Sequence, residues 1–582
     1  MNSHRRIQLL RSSLLVSTLV AAVVWAGGCS LDIGNPNAPD KNRAFADPAG
    51  LAKLMSGAFR TWVGTRGDYY GALPMTAMAD NYTASWNNAA IRFYSSVGSD
   101  CPSRCGWTNS ATAPEAAGGP SVESQWYGYY TVLVSANAVL SGIKNGVCFD
   151  DDCTTDSTLT VRDKAIAKML QGMAFAGISL VYDQGFVVDE NTDLTNISAI
   201  PFNTRAEVRD AALQKLEEAW TLAGIGTWTT DGEWAGVGNG QIYSNTQIRQ
   251  LIRTMQAELV AMWPRNGAEN LAADWASVVT YASQGVSSGA PFNWEYYVDV
   301  TGRECGDLDC VKTWGNSIGT MRVDTRVAAM ITTNHVSPWP EPNGNPCPTA
   351  SPDKRVGDGT WGPADDSVNF ATKKATANAG TDFACSGAAI FPAARGQYHQ
   401  SNLQHIRYNN LAYRGENLAV FDGTGQDPFY TTQMNDLLWA EGLIRSGGDK
   451  ALAATKINNS RVGRGGLTAL TGGEADTVLL DALHYEQEIE FMGQGPTPFF
   501  NRRRIDGFTF SSKSGLNDQT GTPRQLPVPA KEMDVLQRAV YTFGGPSAPD
   551  MVTANGGTRR QTVKDIWDQY IAMRRSMSGR HN

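Results

Sequence analysis

The chain of 582 residues carries 49 Lys and Arg against 57 Asp and Glu, a net charge of −8. An acidic chain without long charge runs lacks the basic patch that nucleic-acid binding favours, so no nucleic-acid partner is expected. The length can bury a large core and would by itself suggest several domains; 59 Gly imply long loops, and 16 Trp supply rings able to stack on flat ligands.

The first predicted element is an export signal. Arg5, Arg6 and Arg11 precede an apolar run from Leu14 to Trp25, which closes on Ala26-Gly27-Gly28-Cys29. A basic region, an apolar region and a small-residue cleavage site make a secretory signal. The run is short for a transmembrane anchor, which needs about 20 apolar residues. The Cys after Ala-Gly-Gly resembles the lipobox of bacterial lipoproteins, with Ala26 where that pattern usually has Leu. The resemblance implies that residues 1–28 are removed and that Cys29 becomes an acylated, palmitate-bearing N-terminus. Two or more acyl chains make a stable membrane anchor. No later uninterrupted apolar run is long enough to cross a bilayer.

A polar, Pro-rich tether follows over 29–46, and Asp47-Pro48 then opens a helical pattern with Leu51, Leu54, Met55, Ala58, Phe59 and Trp62 on one stripe. Further helices are predicted over 126–143, 161–182, 205–222, 245–263 and 272–284. From about 286 to 425 the periodicity fades among Gly, Pro, Asn and Cys. A stretch that long is no plain loop in a compact domain, and it reads as a loop-rich insertion with short strands. Helices return over 431–445, 450–461 and 474–492. One more amphipathic helix is predicted over 561–575, inside a C-terminal extension spanning 546–582. Periodicity alone supports a mostly α body over 47–545 with this insertion; no clean 34-residue repeat is visible.

Beyond Cys29 stand eight Cys, falling as neighbours: Cys101 and Cys105, Cys148 and Cys153, Cys305 and Cys310, Cys347 and Cys385. An exported chain meets an oxidising compartment, so four disulfides are expected, with local pairing as the working assumption. No pair has zinc-ribbon spacing or an adjacent His, so no metal or other cofactor is expected.

Several motifs, in order, resemble the SusD/RagB family of outer-membrane nutrient-binding lipoproteins. They are Trp126-Tyr127-Gly128-Tyr129-Tyr130 with Ala136-Asn137; Ala167 to Phe175 leading to Tyr182-Asp183-Gln184-Gly185; Leu438-Trp439-Ala440-Glu441 with Arg445 and then Asn458 to Gly465; Glu486-Gln487-Glu488-Ile489-Glu490 with Phe499-Phe500 and Arg502-Arg503-Arg504; and Leu526-Pro527-Val528-Pro529. Gln487 stands where the family usually has Arg, and the chain runs about fifty residues past Pro529. The resemblance implies a mostly α, SusD-like fold, with tetratricopeptide-like helix pairs as scaffold and a loop-rich, cystine-containing insertion face. It further implies non-catalytic capture of an oligosaccharide or peptide for a SusC-like TonB-dependent transporter, at the outer membrane and on the cell surface. The alternatives are a lipid-anchored glycan hydrolase and a scaffold or lid subunit of the transporter that binds nothing itself.

Glu441 shares a stripe with Met434, Leu437, Leu438 and Ile444, so its carboxylate needs a partner. Arg461 and Arg464, in the next turn, are the expected ones, in a structural ion pair. Glu486 and Glu490 are one helical turn apart and read as a solvated or ion-paired face. Gly315-Asn316-Ser317-Ile318-Gly319 matches the nucleophile elbow of hydrolases, but no buried strand precedes it. Aromatic rings can bury the flat C–H faces of sugars while amides bond their hydroxyls. Tyr82, Trp86 and Asn87 in an early loop, and Trp294, Tyr297 and Trp314 mid-chain, are therefore the candidate ligand platform. The resembling family draws its platform from the same two neighbourhoods.

Overall fold

The computed structural model describes residues 46–83, 105–109, 122–151, 157–195, 199–230, 241–289, 292–298, 310–315, 321–333, 351–356, 381–385, 399–405, 425–505 and 521–543, with a few isolated positions between them. The signal segment, the tether, the C-terminal extension and its helix over 561–575 lie outside this set.

Helix α1 (Pro48–Arg66) starts where Asp47 accepts from the Ala49 amide, with Pro48 in the first turn, where its missing N–H costs nothing. The short α2 (Ala72–Met78) is buried throughout. Then come α3 (Glu123–Lys144), α4 (Thr158–Val181), α5 (Arg205–Leu222) and α6 (Asn245–Met262). Capping boxes open α5 (Thr204 with Glu207) and α6 (Ser244 with Gln247), each satisfying two otherwise orphaned amides. After α7 (Gly267–Leu271), α8 (Trp275–Ala282), α9 (Cys310–Gly315) and α10 (Thr325–Ile331), the C-terminal half adds α11 (Thr432–Arg445), α12 (Lys450–Arg461), α13 (Asp476–Glu490), α14 (Thr497–Arg504) and α15 (Ala530–Val535). Apart from the one over 561–575, which lies outside the described residues, the helices expected from periodicity are present, most within three residues of the expected ends.

The long helices pack in a continuous run, α1 on α3, then α4, α5, α6, α8 and α11, which meets α12 and α13. Small residues set the closest approaches. A Cβ at Gly172 of α4 would stand 2.6 Å from Leu216 Cγ of α5, and one at Gly177 would enter the Tyr129 ring of α3. α5 and α6 run antiparallel, clasped at both ends by arginine. Arg205 and Arg209 at the start of α5 stack on Trp263 after α6, at 3.8 and 4.2 Å, while Arg249 and Arg253 of α6 stack on Trp220 near the end of α5, both at 3.9 Å. α4 is long and apolar enough to cross a membrane by length and composition, but 89% of its apolar window is buried inside the protein, as in a core helix.

The strands are short and pair two by two, antiparallel. β1 (Tyr82–Thr83) pairs β6 (Arg322–Val323), and β5 (Trp294–Val298) pairs β11 (Gly425–Tyr430). β2 (Trp107–Thr108) pairs β12 (Thr542–Phe543), β3 (Gln184–Gly185) pairs β4 (Asn203–Thr204), and β7 (Val368–Asn369) pairs β8 (Lys374–Ala375). β9 (Phe383–Cys385) pairs β10 (Leu403–His405). Such ribbons are marginal alone and depend on the body they dock on. Cys105, Cys148 and Cys310 are disulfide-bonded; the pairing of the eight Cys falls outside the described residues.

Candidate functional site

Of the two aromatic neighbourhoods expected to form a platform, the structure describes the side chains of Tyr82 in the early one and Trp294 in the mid-chain one. β1 leads out of the early segment and pairs with β6 from mid-chain, at Tyr82 opposite Val323. Helix α9 is tied to the end of α1, where the Cys310 amide donates to the Gly67 carbonyl. The buried Lys312 ammonium donates to the Tyr296 hydroxyl at 3.0 Å and the Pro428 carbonyl at 2.8 Å, holding α9 to the β5–β11 pair. The end of α1, α9, β5 and the strand before α11 are therefore joined to one another.

Two of the named rings face inward, which corrects their place in a platform. Tyr82 is fully buried, and its hydroxyl is 2.7 Å from His405 Nδ1. Trp294 is 4% exposed; it stacks on Tyr430 at 6.1 Å and packs against Phe59 and Trp62 of α1 at 5.7 and 5.5 Å. The reason is local. Strand alternation sends Trp294 and Tyr296 to the same face, and that face is the one β5 lays on α1. Tyr297 has the opposite parity on β5 and Trp314 lies on α9; their side chains, and all of Trp86 and Asn87, fall outside the described residues. Sequence reasoning did not single out Lys312, His405, Phe429 or Tyr430. An aromatic pair just before the Thr431 cap was the available signal for the last two.

A buried ionic core is built largely from the motifs around Glu441, Asn458 to Gly465, Glu486 to Glu490 and Arg502 to Arg504. Glu441 does not pair with Arg461 or Arg464. Its carboxylate receives both Arg504 Nη atoms, at 2.7 and 2.6 Å, Arg445 Nε at 2.7 Å and Gln487 Nε2 at 2.8 Å. The sequence-near arginines point elsewhere because α12 presents them to the other side of α13. Arg464 pairs with Glu490 and Asp382, and Arg461 stands 3.6 Å from Glu486. Glu486 and Glu490, read as a solvated or ion-paired face, are both fully buried. They share Arg355, at 2.7 and 3.4 Å, and both accept from the Ser460 hydroxyl. Arg355 is also held by Asp353 at 2.7 Å, so residues of the loop-rich insertion are sutured to the helices by charge. Between them, Glu488 takes Arg326 at 2.6 Å, with Arg502 near it and near Asp80. A third network joins Arg66 to Glu258, where Tyr430 donates to the same carboxylate at 2.5 Å.

The electrostatics follow from these partners. Burial alone would raise the Glu441 carboxyl, but Arg504 and then Arg445 outweigh it and hold it well below the usual carboxylate range. Burial likewise works against Glu490, and Arg407, Arg464 and Arg355 together hold it low. Burial pushes the His405 imidazole well down, and that of His335 to about 4, so both are neutral at pH 7. A carboxylate so bound accepts from arginine rather than exchanging protons, which suits scaffolding and not acid–base work. Among the described residues no group of three or more His, Cys, Asp or Glu is arranged to hold a metal. Two concavities stand out. One, of about 20 Å³, lies between Arg66, Tyr129, Gly177 and Glu258 and is the size of a single water. The other, of about 650 Å³, opens between α4 and α5; in its lining Lys168 pairs with Glu190 and Glu218, while Glu217 pairs outside it with Arg253.

No protein-family model and no curated protein matches this sequence. Solved structures share its fold. A SusD-like protein from Bacteroides fragilis superimposes with a TM-score of 0.55 at 12% identity, over 86% of this chain and 97% of its own. A SusD superfamily protein from Parabacteroides distasonis gives 0.55 at 10% identity, over 84% of this chain and 98% of its own. A second protein from Bacteroides fragilis, described as a SusD-like carbohydrate binding protein, gives 0.51 at 12% identity, over 79% and 86%. The chain thus shares the SusD-like fold over most of its length and theirs.

Proposed function

We propose that this chain is a non-catalytic capture protein for an oligosaccharide or similar nutrient oligomer. In this reading it is lipid-anchored at Cys29 on the outer membrane and hands its ligand to a SusC-like TonB-dependent transporter. The observation that carries the reading is the SusD-like fold, shared over 79% of this chain with a protein described as carbohydrate binding. Two features support it: the pairing of the early strand β1 with mid-chain β6, and buried carboxylates committed to arginine. The helix run serves as a tetratricopeptide-like scaffold, and the eight Cys beyond Cys29 close local loops. With Tyr82 and Trp294 in the core, the platform falls to Trp86, Asn87, Tyr297 and Trp314. Calorimetry of the mature protein against a panel of oligosaccharides tests this. Trp86→Ala and Trp314→Ala should each weaken binding roughly tenfold, about 1.4 kcal/mol, with the melting temperature near that of the parent. Hydrolysis of the panel would overturn the non-catalytic reading. Silence toward every glycan, with the transporter still co-purifying, would select a lid or scaffold role.

A further inference from the structure

The segment after α14 returns to the end of α4 and is fastened there by one side-chain pair. Leu526 lies parallel to Tyr182: its amide donates to the Val181 carbonyl at 2.9 Å, and its carbonyl accepts from the Asp183 amide at 3.2 Å. Fifteen positions after Leu526 the chain comes back at Tyr541. That hydroxyl donates to the Asp183 carboxylate at 2.9 Å and accepts from the Val528 amide at 2.9 Å. Asn109 closes the ring, accepting from the Tyr541 amide at 2.8 Å and donating to the Val528 carbonyl at 2.5 Å. Beyond it, β12 pairs with β2. Residues 526–543 thus form a strap held here by the Tyr541 hydroxyl, the Asp183 carboxylate and the Asn109 amide, and between them by Lys531 on Glu123.

We propose that Asp183 and Tyr541 are a proton-dependent latch for this strap, closed while Asp183 is protonated and progressively released as it ionises. The charged groups facing Asp183 are Arg265, between α6 and α7, and Arg205, at the start of α5. Neither makes a salt bridge to it. Arg205 is spent on Glu269 at 2.8 Å, and Arg265 donates to the carbonyls of Ser179 and Tyr182 at the end of α4 and to that of Arg524 in the strap's approach. Burial therefore dominates and pushes the carboxyl up to about 7, against the Tyr541 hydrogen bond and Arg265, which pull it down. Opening the strap returns Asp183 to water and to an ordinary carboxylate value. The closed state then binds the proton more tightly, so its advantage is full below the ordinary carboxylate range, drains away as pH rises from there to about 7, and is spent above that. The slope is at most about tenfold in the opening equilibrium per pH unit.

Hydrogen exchange of the full mature protein between about pH 5 and 9, corrected for intrinsic rates, reads this directly. The amides of Leu526, Val528 and Tyr541 should lose protection by several-fold to about tenfold per unit up to about pH 7 and level off above it, while those of α4 stay level. In Asp183→Asn the strap should show no such slope; in Tyr541→Phe protection should be lower at every pH with the slope kept. A level profile in the parent, or the parent's slope persisting in Asp183→Asn, overturns the latch. Should Asp183→Asn fail to fold, the parent's profile, strap against α4, still decides.

Discussion

The ionic core and the β5–β11 aromatic region bury their charged and aromatic residues in opposite ways. Around α13, polar side chains are buried because each finds an opposite charge; Glu486, Gln487, Glu488 and Glu490 are all in the interior. Around β5, Trp294 is buried because it packs on other rings, with no polar partner needed. In the first region the sequence marked Glu441 as needing a buried partner, but not that Glu486 and Glu490 are buried too. Composition was a poor guide in the second, since an aromatic among amides suits a sugar platform and a core strand equally.

The largest expected effect comes from breaking the ionic side. Glu441→Ala leaves Arg504 buried without its carboxylate and should destabilise the fold by about 3–5 kcal/mol in equilibrium denaturation. A variant that unfolds like the parent would mean that Arg504 finds water or another acid. Acid sharpens the same point. Glu441 and Glu490 sit below their unfolded values, so the stability they add is complete above the ordinary Glu range and drains away as pH falls through their folded values. Glu441→Gln should accordingly lose stability less steeply on acidification than the parent does. On the aromatic side, Trp294→Ala should cost about 3–4 kcal/mol through the cavity it leaves. Loss of glycan binding with an unchanged melting temperature would return Trp294 to the platform. Smaller still is Gly172→Ala, which drives a methyl into Leu216 where α4 crosses α5. It should cost about 1–3 kcal/mol by thermal melts, and a neutral result would show that the two helices can slide apart.

Much of the scaffold was legible in the sequence because amphipathic period and caps are local signals. Asp47-Pro48, Thr204 with Glu207 and Thr431 each mark a helix start within four residues of chain. Ion-pair partners were not legible, because nearness in sequence is a poor proxy for nearness across packed helices. Glu441 lies 20 residues from Arg461 but pairs with Arg504, 63 residues away. Burial of Glu486 and Glu490 was hidden for the same reason: Arg355 arrives from the insertion, more than 130 positions earlier. Of the site, the structure places Tyr82 and Trp294 in the core, and the remaining platform residues lie, wholly or by their side chains, outside the described residues. Which ring faces in was not legible, since that depends on strand parity against α1.

The crowding of α13 bears on how the chain can change length. Its last turn offers no neutral side: Glu486 and Glu490 look toward Arg355, Glu488 toward Arg326, and Gln487 toward Glu441. One residue added or removed within the helix turns everything beyond it by about 100°. Every one of those acids would then face the wrong partner at once. Insertions and deletions should therefore be confined to the connecting segments, and the reading frame of this helix relative to α11, α12 and α14 is the least negotiable dimension of the molecule.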